Sequence, residues 1–249
     1  MHVSLSRPKV LLRFSLTSFA ASFVFLMGLA LTPVKSYAIP KDEAIKKFNV
    51  VALFFLTDKS GKPITINSDS NEIQFFYLNH SKAVLEKDQL ERSGTLGKGL
   101  KVSATTLNTL LKRYQYLTEN AYPGDKQYLV SILPDAKDRE LAIQTLVNEG
   151  GDRPEIESTL STPVFYTDPY LQILMGSGVK QNLLFFSYSD LKASLRKLPD
   201  SERQAFKLKV ADFNNVFSSI LSNEDDVFAV SPTSDYQKII RGLRQRGDF

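Results

Sequence analysis

The chain has 249 residues, of which 43% are hydrophobic and 23% charged, and its formal net charge is +4. This composition is typical of a globular protein and excludes both a disordered chain and a multi-pass membrane protein. The chain has no cysteine, which excludes disulfides, thiolate nucleophiles, cysteine-type zinc sites and iron–sulfur clusters.

The first 38 residues have the features of a signal peptide. Three basic residues precede an uncharged stretch from 14 to 34, and Ser36-Tyr37-Ala38 supplies small residues for cleavage after position 38. The alternative is an uncleaved anchor helix, because the uncharged stretch approaches the ~20 residues that cross a bilayer. The sequence favours cleavage and therefore export.

Removal of residues 1–38 changes the charge balance. Four of the 31 basic residues and none of the 27 acidic residues lie in this segment. The rest of the chain therefore carries 27 of each, and its net charge is close to zero. A nucleic-acid-binding protein would keep a basic excess in its folded part, so we expect no nucleic-acid partner.

Two blocks of sequence recur 110 positions apart. The stretch FLTD at 55–58 matches FYTD at 165–168, and EIQFFYLNHSKAVL at 72–85 matches NLLFFSYSDLKASL at 182–195. A third pair, 128–134 and 226–232, matches at an offset of 98. Matching blocks predict an internal repeat, with repeat 1 at 45–149 and repeat 2 at 162–249.

Each repeat predicts the same series of elements, strand-strand-strand-helix-strand-helix-strand-helix. In repeat 1 the predicted strands are 50–57, 64–66, 73–78, 101–102 and 128–133, and the helices follow Asn79, Ser103 and Asp135 as N-caps. In repeat 2 the predicted strands are 163–168, 170–175, 182–187, 206–210 and 227–231, and the helices follow Ser189, Asp212 and Thr233 or Ser234.

The segment between the repeats, 148–161, has little apolar periodicity and is predicted to be a linker. The apolar runs 50–57 and 163–168 are typical of strands buried on both faces, so we expect them to lie centrally in their sheets. The predicted fold class is mixed α/β (α+β), with two pseudo-symmetric repeats forming one protein.

Few residues suggest catalysis. His80 is the only histidine outside the signal segment, and we interpret it as a first-turn polar residue of a helix. Asp58 and Asp168 recur in the two repeats and could form a carboxylate pair that cleaves glycosidic bonds if they were roughly 5–10 Å apart. The favoured interpretation is that each ends a strand and caps the turn that follows. The sequence predicts no cofactor and no metal site.

The aromatic content is the strongest pointer to binding. There are 17 phenylalanines and 10 tyrosines but no tryptophan. Neighbouring residues of a strand point to opposite faces, so one ring of each Phe-Phe pair could be left for an extended apolar client. The candidate client-binding residues are Phe55, Phe75, Phe76, Phe165, Tyr166, Phe185, Phe186 and Tyr188.

These blocks resemble the Tic22 family of cyanobacteria and plastids. The likeness rests on VALFFLTDKSGKPITI followed by FFYLNHSKAVL, and on TPVFYTDPYLQIL followed by NLLFFSYSDLKASL, and it extends over 45–245. The chain departs from the family pattern at Val51-Ala52-Leu53, where a proline-containing strand start is expected.

The resemblance implies an exported, non-enzymatic α/β protein of the periplasm or thylakoid lumen, or of the intermembrane space in plastid relatives. It implies a chaperone-like role in protein translocation or outer-membrane protein biogenesis. The implied partners are unfolded precursor proteins and the Omp85-type outer-membrane machinery, and peripheral membrane association is a further expectation. The alternatives left open are a carboxylate-dependent cell-wall hydrolase and a membrane-anchored structural scaffold.

Overall fold

The computed structural model describes residues 40–246, except 68–69, 95, 123, 125, 176–177 and 224–226. The predicted signal peptide and its cleavage site lie outside the described residues. Within the described part of the chain, no helix combines the length and apolar character needed to span a bilayer.

The first half begins with a short helix, α1 (Lys41–Lys46), and a 3-10 turn (Lys47–Val50). The first strand therefore starts two residues later than predicted. The elements that follow are β1 (Ala52–Thr57), β2 (Thr65–Asn67), β3 (Asn71–Tyr77), α2 (His80–Ser93), β4 (Lys101–Thr106), α3 (Leu107–Glu119), β5 (Gln127–Leu133) and α4 (Ala136–Asn148).

The second half is preceded by a helix in the segment predicted to be a linker. This helix, α5 (Arg153–Thr159), begins because Asp152 caps it and a proline occupies its first turn. The elements that follow are β6 (Pro163–Asp168), β7 (Gln172–Leu174), β8 (Lys180–Leu184), α6 (Tyr188–Leu195), α7 (Asp200–Arg203), β9 (Lys207–Asp212), α8 (Phe213–Ser222), β10 (Phe228–Val230) and α9 (Ser234–Arg246).

Strand pairing follows the same scheme in both halves. β1 and β4 are antiparallel, as are β6 and β9. β2 pairs antiparallel with β3 and β7 with β8, while β3 and β5 run parallel, as do β8 and β10. The mixed α/β fold class is confirmed, and β1 lies between β3 and β4 as expected. The pseudo-symmetry of the two repeats stays a prediction.

The register of the strands differs from the uniform offset of 110. A bridge joins Phe54 to Tyr77 in the first half and Phe165 to Phe185 in the second. The paired residues are thus 111 and 108 positions apart, because the connection between them is shorter in the second half. The two Phe-Phe pairs therefore do not occupy matching positions in their strands.

The helix caps are partly as predicted. Asn79, Asp135 and Asp212 each accept a hydrogen bond from a backbone N–H of the helix that follows. Thr106, rather than Ser103, caps α3, because pairing with β1 keeps β4 extended to that residue. Ser187, rather than Ser189, stands at the N-cap of α6.

One apolar cluster joins the two halves. Phe48 of the 3-10 turn is fully buried and makes edge-on contacts with Phe186, Phe213 and Phe217, with ring centroids 5.4–6.1 Å apart. Leu53 of β1 belongs to the same cluster. Both halves therefore contribute to this cluster, which we call the shared core.

The last helix of each half packs on the sheet of the other half. Ala142 and Ile143 of α4 lie in a cluster with Phe165 of β6 and Val210 of β9. In return, α9 places Tyr236 and Ile239 against the cluster around Phe54. We call this arrangement the helix exchange.

Hydrogen bonds from backbone N–H groups to aspartate carboxylates reinforce the helix exchange at two corresponding points. The His80 N–H, at the start of α2, donates to Asp235 of α9 at 3.0 Å. The Tyr188 N–H, at the start of α6, donates to Asp138 of α4 at 3.3 Å. Thr233 adds a further link, since its hydroxyl oxygen accepts from both Ala52 N–H and Tyr236 N–H.

Candidate functional site

The structure does not bring the eight predicted client-binding aromatics together. They are distributed over three apolar clusters. Four of them, Phe76, Phe165, Phe185 and Phe186, are buried in the core and at most 3% exposed. A client cannot reach these four rings in this conformation, and they act as core residues.

The other four predicted aromatics, Phe55, Phe75, Tyr166 and Tyr188, are half-buried. Each packs against the edge of a cluster, and Tyr166 also stacks on Tyr170 with ring centroids 5.2 Å apart. Client binding by these four residues stays a prediction.

A different set of residues forms an apolar groove between the two halves, with a volume of about 730 Å³. Strand β5 and the residues after it form its floor, α3 forms one wall, and α5 with the segment before β6 forms the other. The start of α8 contributes Phe213 and Asn214 to the lining. The groove is lined by Lys82, Leu110, Leu111, Tyr114, Val130, Ser131, Ile132, Leu133, Pro134, Ala136, Arg139, Pro154, Glu157, Ser158, Leu160, Ser161, Thr162, Phe213 and Asn214.

None of the eight predicted aromatics lines this groove. Its α3 wall consists of Leu110, Leu111 and Tyr114, which lie in the helix predicted to follow Ser103. Its floor is β5, which corresponds to the strand predicted at 128–133. What the sequence did not indicate is that this strand lies at the edge of its sheet, because strand order depends on residues far apart in the chain.

Strand β5 lies at an open edge of its sheet. All seven of its residues are half-buried, and it pairs only with β3 among the described strands. Leu133 O accepts from Leu78 N–H, so the odd-numbered residues of β5 bond to β3. Alternate residues of a strand direct their backbone groups to opposite sides, and the N–H and C=O groups of the even-numbered residues therefore face outward. The Thr162 hydroxyl donates to Ile132 O at 3.2 Å, but Val130 makes no such outward bond within the described residues.

The rim of the groove carries polar groups, and two of its residues, Arg139 and Glu157, are held by hydrogen bonds and an ion pair. The Arg139 guanidinium donates to the backbone oxygen of Glu157 at 2.8 Å, while the Glu157 carboxylate pairs with Arg153 at 2.7 Å. Burial raises the pKa of the Tyr114 hydroxyl, which therefore stays protonated at neutral pH. The interior of the groove thus holds no ionised group from α3 or β5.

The two recurrent aspartates occupy separate strand ends. Asp58 accepts hydrogen bonds from Ser60 N–H, Ser60 hydroxyl and Lys62 N–H, and these bonds, that of the Ser60 hydroxyl first, lower its pKa. The interpretation of Asp58 as a turn cap is confirmed. Asp168 is the exposed last residue of β6, in a different sheet, where it pairs with Lys207 of β9.

His80 lies where the sequence placed it, in the first turn of α2. Its ring contacts Phe54 edge-on, with centroids 5.0 Å apart. In the residues that the structure describes, no three His, Cys, Asp or Glu side chains are grouped so as to hold a metal ion.

By its geometry, the chain is a mixed α/β protein of two similar parts, with an apolar groove along an edge strand. No family model matches the sequence, and no curated protein matches it significantly. Solved structures do match. The structure described as "Anabaena Tic22 (protein transport)" is 17% identical, with a TM-score of 0.68, over 82% of this chain and 98% of that one. "Tic22 from Plasmodium falciparum" is 18% identical, with a TM-score of 0.61, over 80% and 96%. The chain has a Tic22-like fold, as the sequence resemblance implied.

Proposed function

We propose that this protein is an exported, non-enzymatic, chaperone-like factor of protein translocation or outer-membrane protein biogenesis. Its proposed place is the periplasm or the thylakoid lumen, and its proposed partners are unfolded precursors and the Omp85-type machinery. The likeness to the Anabaena protein, which is described as a protein of protein transport, supports this role. The proposed task is to hold extended apolar segments of precursors in transit.

The observation that carries this proposal is an apolar groove along an open strand edge. An extended segment can add to such an edge through main-chain hydrogen bonds and place alternate side chains in a flanking pocket. Here Val130 offers the outward backbone groups, and Leu111 and Tyr114 offer the apolar wall. Main-chain bonding is independent of sequence, which suits a protein that accepts many precursors.

Two groove variants test the proposal. Val130→Pro removes the outward N–H without removing a bond to β3, since proline is tolerated on an edge strand. Leu111→Asp places an unpaired charge in the wall. We expect each variant to weaken binding of a labelled extended apolar peptide by about tenfold, the equivalent of ~1.4 kcal/mol, in fluorescence anisotropy.

The matched control is Tyr116→Asp, which changes an exposed residue of the same helix, 65% exposed. Thermal unfolding of each variant separates loss of binding from loss of fold. The parent protein is then added to an unfolded outer-membrane barrel precursor, and aggregation is followed by light scattering. The proposal fails if excess protein leaves aggregation unchanged, or if folded groove variants suppress it as well as the parent does.

A further inference from the structure

The clefts beside the strands β5 and β10 differ in what fills them. In the first half, β5 and α3 border the open groove. In the second half, the 3-10 turn before β1 contacts β10, and its Phe48 packs against α8. We call the space between β10 and α8 the second cleft, and its filling shows which side chains such a cleft can hold.

The strand pairing shows which backbone groups of the two clefts correspond. Phe228 lies opposite the β8 residue three positions before Phe185, and Val130 lies opposite the β3 residue three positions before Tyr77. Phe185 and Tyr77 are the residues that bridge to the first strand of their halves. Ser231 N–H bonds back to β8, so the oxygen of Phe228 faces outward, as that of Val130 does.

The second cleft is closed by two neighbouring residues, Lys47 and Phe48. Lys47 Nζ donates to the outward oxygen of Phe228 at 2.8 Å. The Phe48 ring lies against α8, with centroids 5.4 and 5.7 Å from those of Phe213 and Phe217. The strand-edge carbonyl and the apolar face of the helix are therefore both covered.

The face of α3 that lines the groove has no such cover. The residues at the fourth, fifth and eighth positions of α8, which are Val216, Phe217 and Ile220, are at most 9% exposed. At the fifth and eighth positions of α3, Leu111 and Tyr114 are only half-buried and line the groove. An apolar surface that the second half buries is thus left accessible in the first.

The described residues before β6 supply no counterpart of Phe48. Phe48 and Lys47 precede β1 by four and five positions, and Thr159 and Ser158 precede β6 by the same distances. The hydroxyls of Thr159 and Ser158 donate to Glu155 O at 2.9 and 2.8 Å. These short side chains turn back onto α5, so they do not fill the groove.

The lining of the groove suits an aromatic ring. Tyr114 and Phe213 both belong to it, and pairs of aromatic rings stabilise a complex beyond the apolar area that they bury. A cavity of about 150 Å³ is enough to hold benzene. The groove, with about 730 Å³, therefore has room for one aromatic side chain and the backbone that carries it.

We propose that the groove selects client segments that carry an aromatic residue. The ring packs on α3 as Phe48 packs on α8, and a donor of the same segment bonds to Val130 O as Lys47 bonds to Phe228 O. This inference rests on the proposed function, because it names the preference of the same groove.

A pair of peptides tests the preference. One is a short labelled peptide of serine, threonine and valine with a central phenylalanine, and the other has leucine in its place. Fluorescence anisotropy is expected to give the phenylalanine peptide a dissociation constant lower by about fivefold. Equal affinities would overturn this inference and leave the proposed function standing, whereas absence of binding by both peptides would overturn the two together.

A variant of the wall tests the origin of the preference. Tyr114→Leu keeps an apolar side chain but removes the ring, so it is expected to reduce the preference for phenylalanine to about twofold or less. The leucine peptide should bind this variant as it binds the parent. The matched control, Tyr116→Leu, changes an exposed ring of the same helix and should keep the full preference. An undiminished preference in Tyr114→Leu would contradict the proposal.

Cross-linking locates the ring without any change to the protein. The central phenylalanine is replaced by benzoylphenylalanine, the complex is irradiated, and the attached residues are identified by mass spectrometry. We expect attachment within 110–114 and 128–134, and competition by the unlabelled phenylalanine peptide should abolish it. Attachment confined to other parts of the chain would overturn the proposal, even if the Tyr114→Leu variant did not fold.

Discussion

Asp138 and Asp235 make corresponding hydrogen bonds but differ in their ionisation. Burial raises the pKa of Asp138, the hydrogen bond from Tyr188 N–H offsets only part of this effect, and the nearby carboxylates of Asp135 and Asp190 raise it further. Burial also opposes ionisation of Asp235, but hydrogen bonds from His80 N–H and Lys238 outweigh it and lower the pKa. The contributions of these two carboxylates to the free energy of unfolding should therefore change with pH in opposite directions.

The variants Asp138→Asn and Asp235→Asn test this difference. At pH 7 the ionised Asp138 is disfavoured in the folded state, so Asp138→Asn is expected to raise the free energy of unfolding by up to about 1 kcal/mol. This gain should disappear as the pH falls through the raised pKa of Asp138. The measurement is urea unfolding at several pH values.

Asp235→Asn is expected to lower the free energy of unfolding at pH 7 by about 1 kcal/mol. Since the folded pKa of Asp235 is depressed, its contribution is present above the ordinary aspartate value of about 3.9 and is lost as the pH falls through the folded pKa. Equal shifts of the same sign for both variants at neutral pH would contradict the assignment.

The sequence predicted the hydrogen-bonding role of single residues correctly where donor and acceptor are close together in the chain. Asn79, Asp135 and Asp212 bond to an N–H two or three positions away, so their residue type and place before a helix were sufficient. Asp138 and Asp235 bond across 50 and 155 positions. No local pattern could indicate these partners, since they are created by the helix exchange.

At the scale of elements, the short segment before β1 has a larger structural role than its length suggests. Helix α1 and the 3-10 turn bring Phe48 into the shared core, where it is 0% exposed. The sequence did not predict these elements, because KDEAIK is shorter than two helical turns and contains too few apolar residues to show a period.

Phe48→Ala is expected to lower the free energy of unfolding by about 3–5 kcal/mol, because it opens a cavity among three phenylalanines that cannot fully close. Chemical denaturation measures the change. The control is Tyr116→Ala, which removes a mostly exposed ring and should alter stability by no more than about 0.5 kcal/mol. A similar small effect for Phe48→Ala would exclude a shared core.

The strands were the most predictable elements. The runs at 50–57 and 163–168 correspond closely to β1 (Ala52–Thr57) and β6 (Pro163–Asp168), since uninterrupted apolar residues are typical of strands covered on both faces. The groove was not predictable in the same way. The sequence of an apolar run such as β5 has the same pattern whether its strand is central or at an edge of the sheet. Only the strand order of the folded sheet distinguishes the two positions.

At the scale of the whole molecule, the helix exchange makes the two halves interdependent. The face of β1 that carries Phe54 is covered in part by α9, and the cluster around Phe165 is covered in part by α4. Each half separated from the other would expose an apolar sheet face as well as its part of the shared core. The two sequence repeats are therefore not expected to behave as two independently stable domains.

The fragments 40–149 and 150–249 test this interdependence. Each alone is expected to lack a cooperative unfolding transition, while an equimolar mixture should recover the circular dichroism spectrum and the elution volume of the intact chain. Cooperative unfolding of 40–149 by itself would contradict the prediction, and so would a mixture whose spectrum equals the sum of the separate fragments.

Helix α9 follows every other described element in the chain, so it is the last of them to be synthesised. A ribosome releases the first sheet early, but the helix that completes the cover on its Phe54 face consists of residues 234–246 and emerges after the whole second sheet. The apolar face around Phe54, on which Ala83 of α2 also packs, is therefore only partly covered while the second half is made. Its closing contacts span a long stretch of chain, which slows folding. The nascent chain therefore cannot complete its fold during most of its synthesis, and an incompletely folded chain can still pass through a narrow channel.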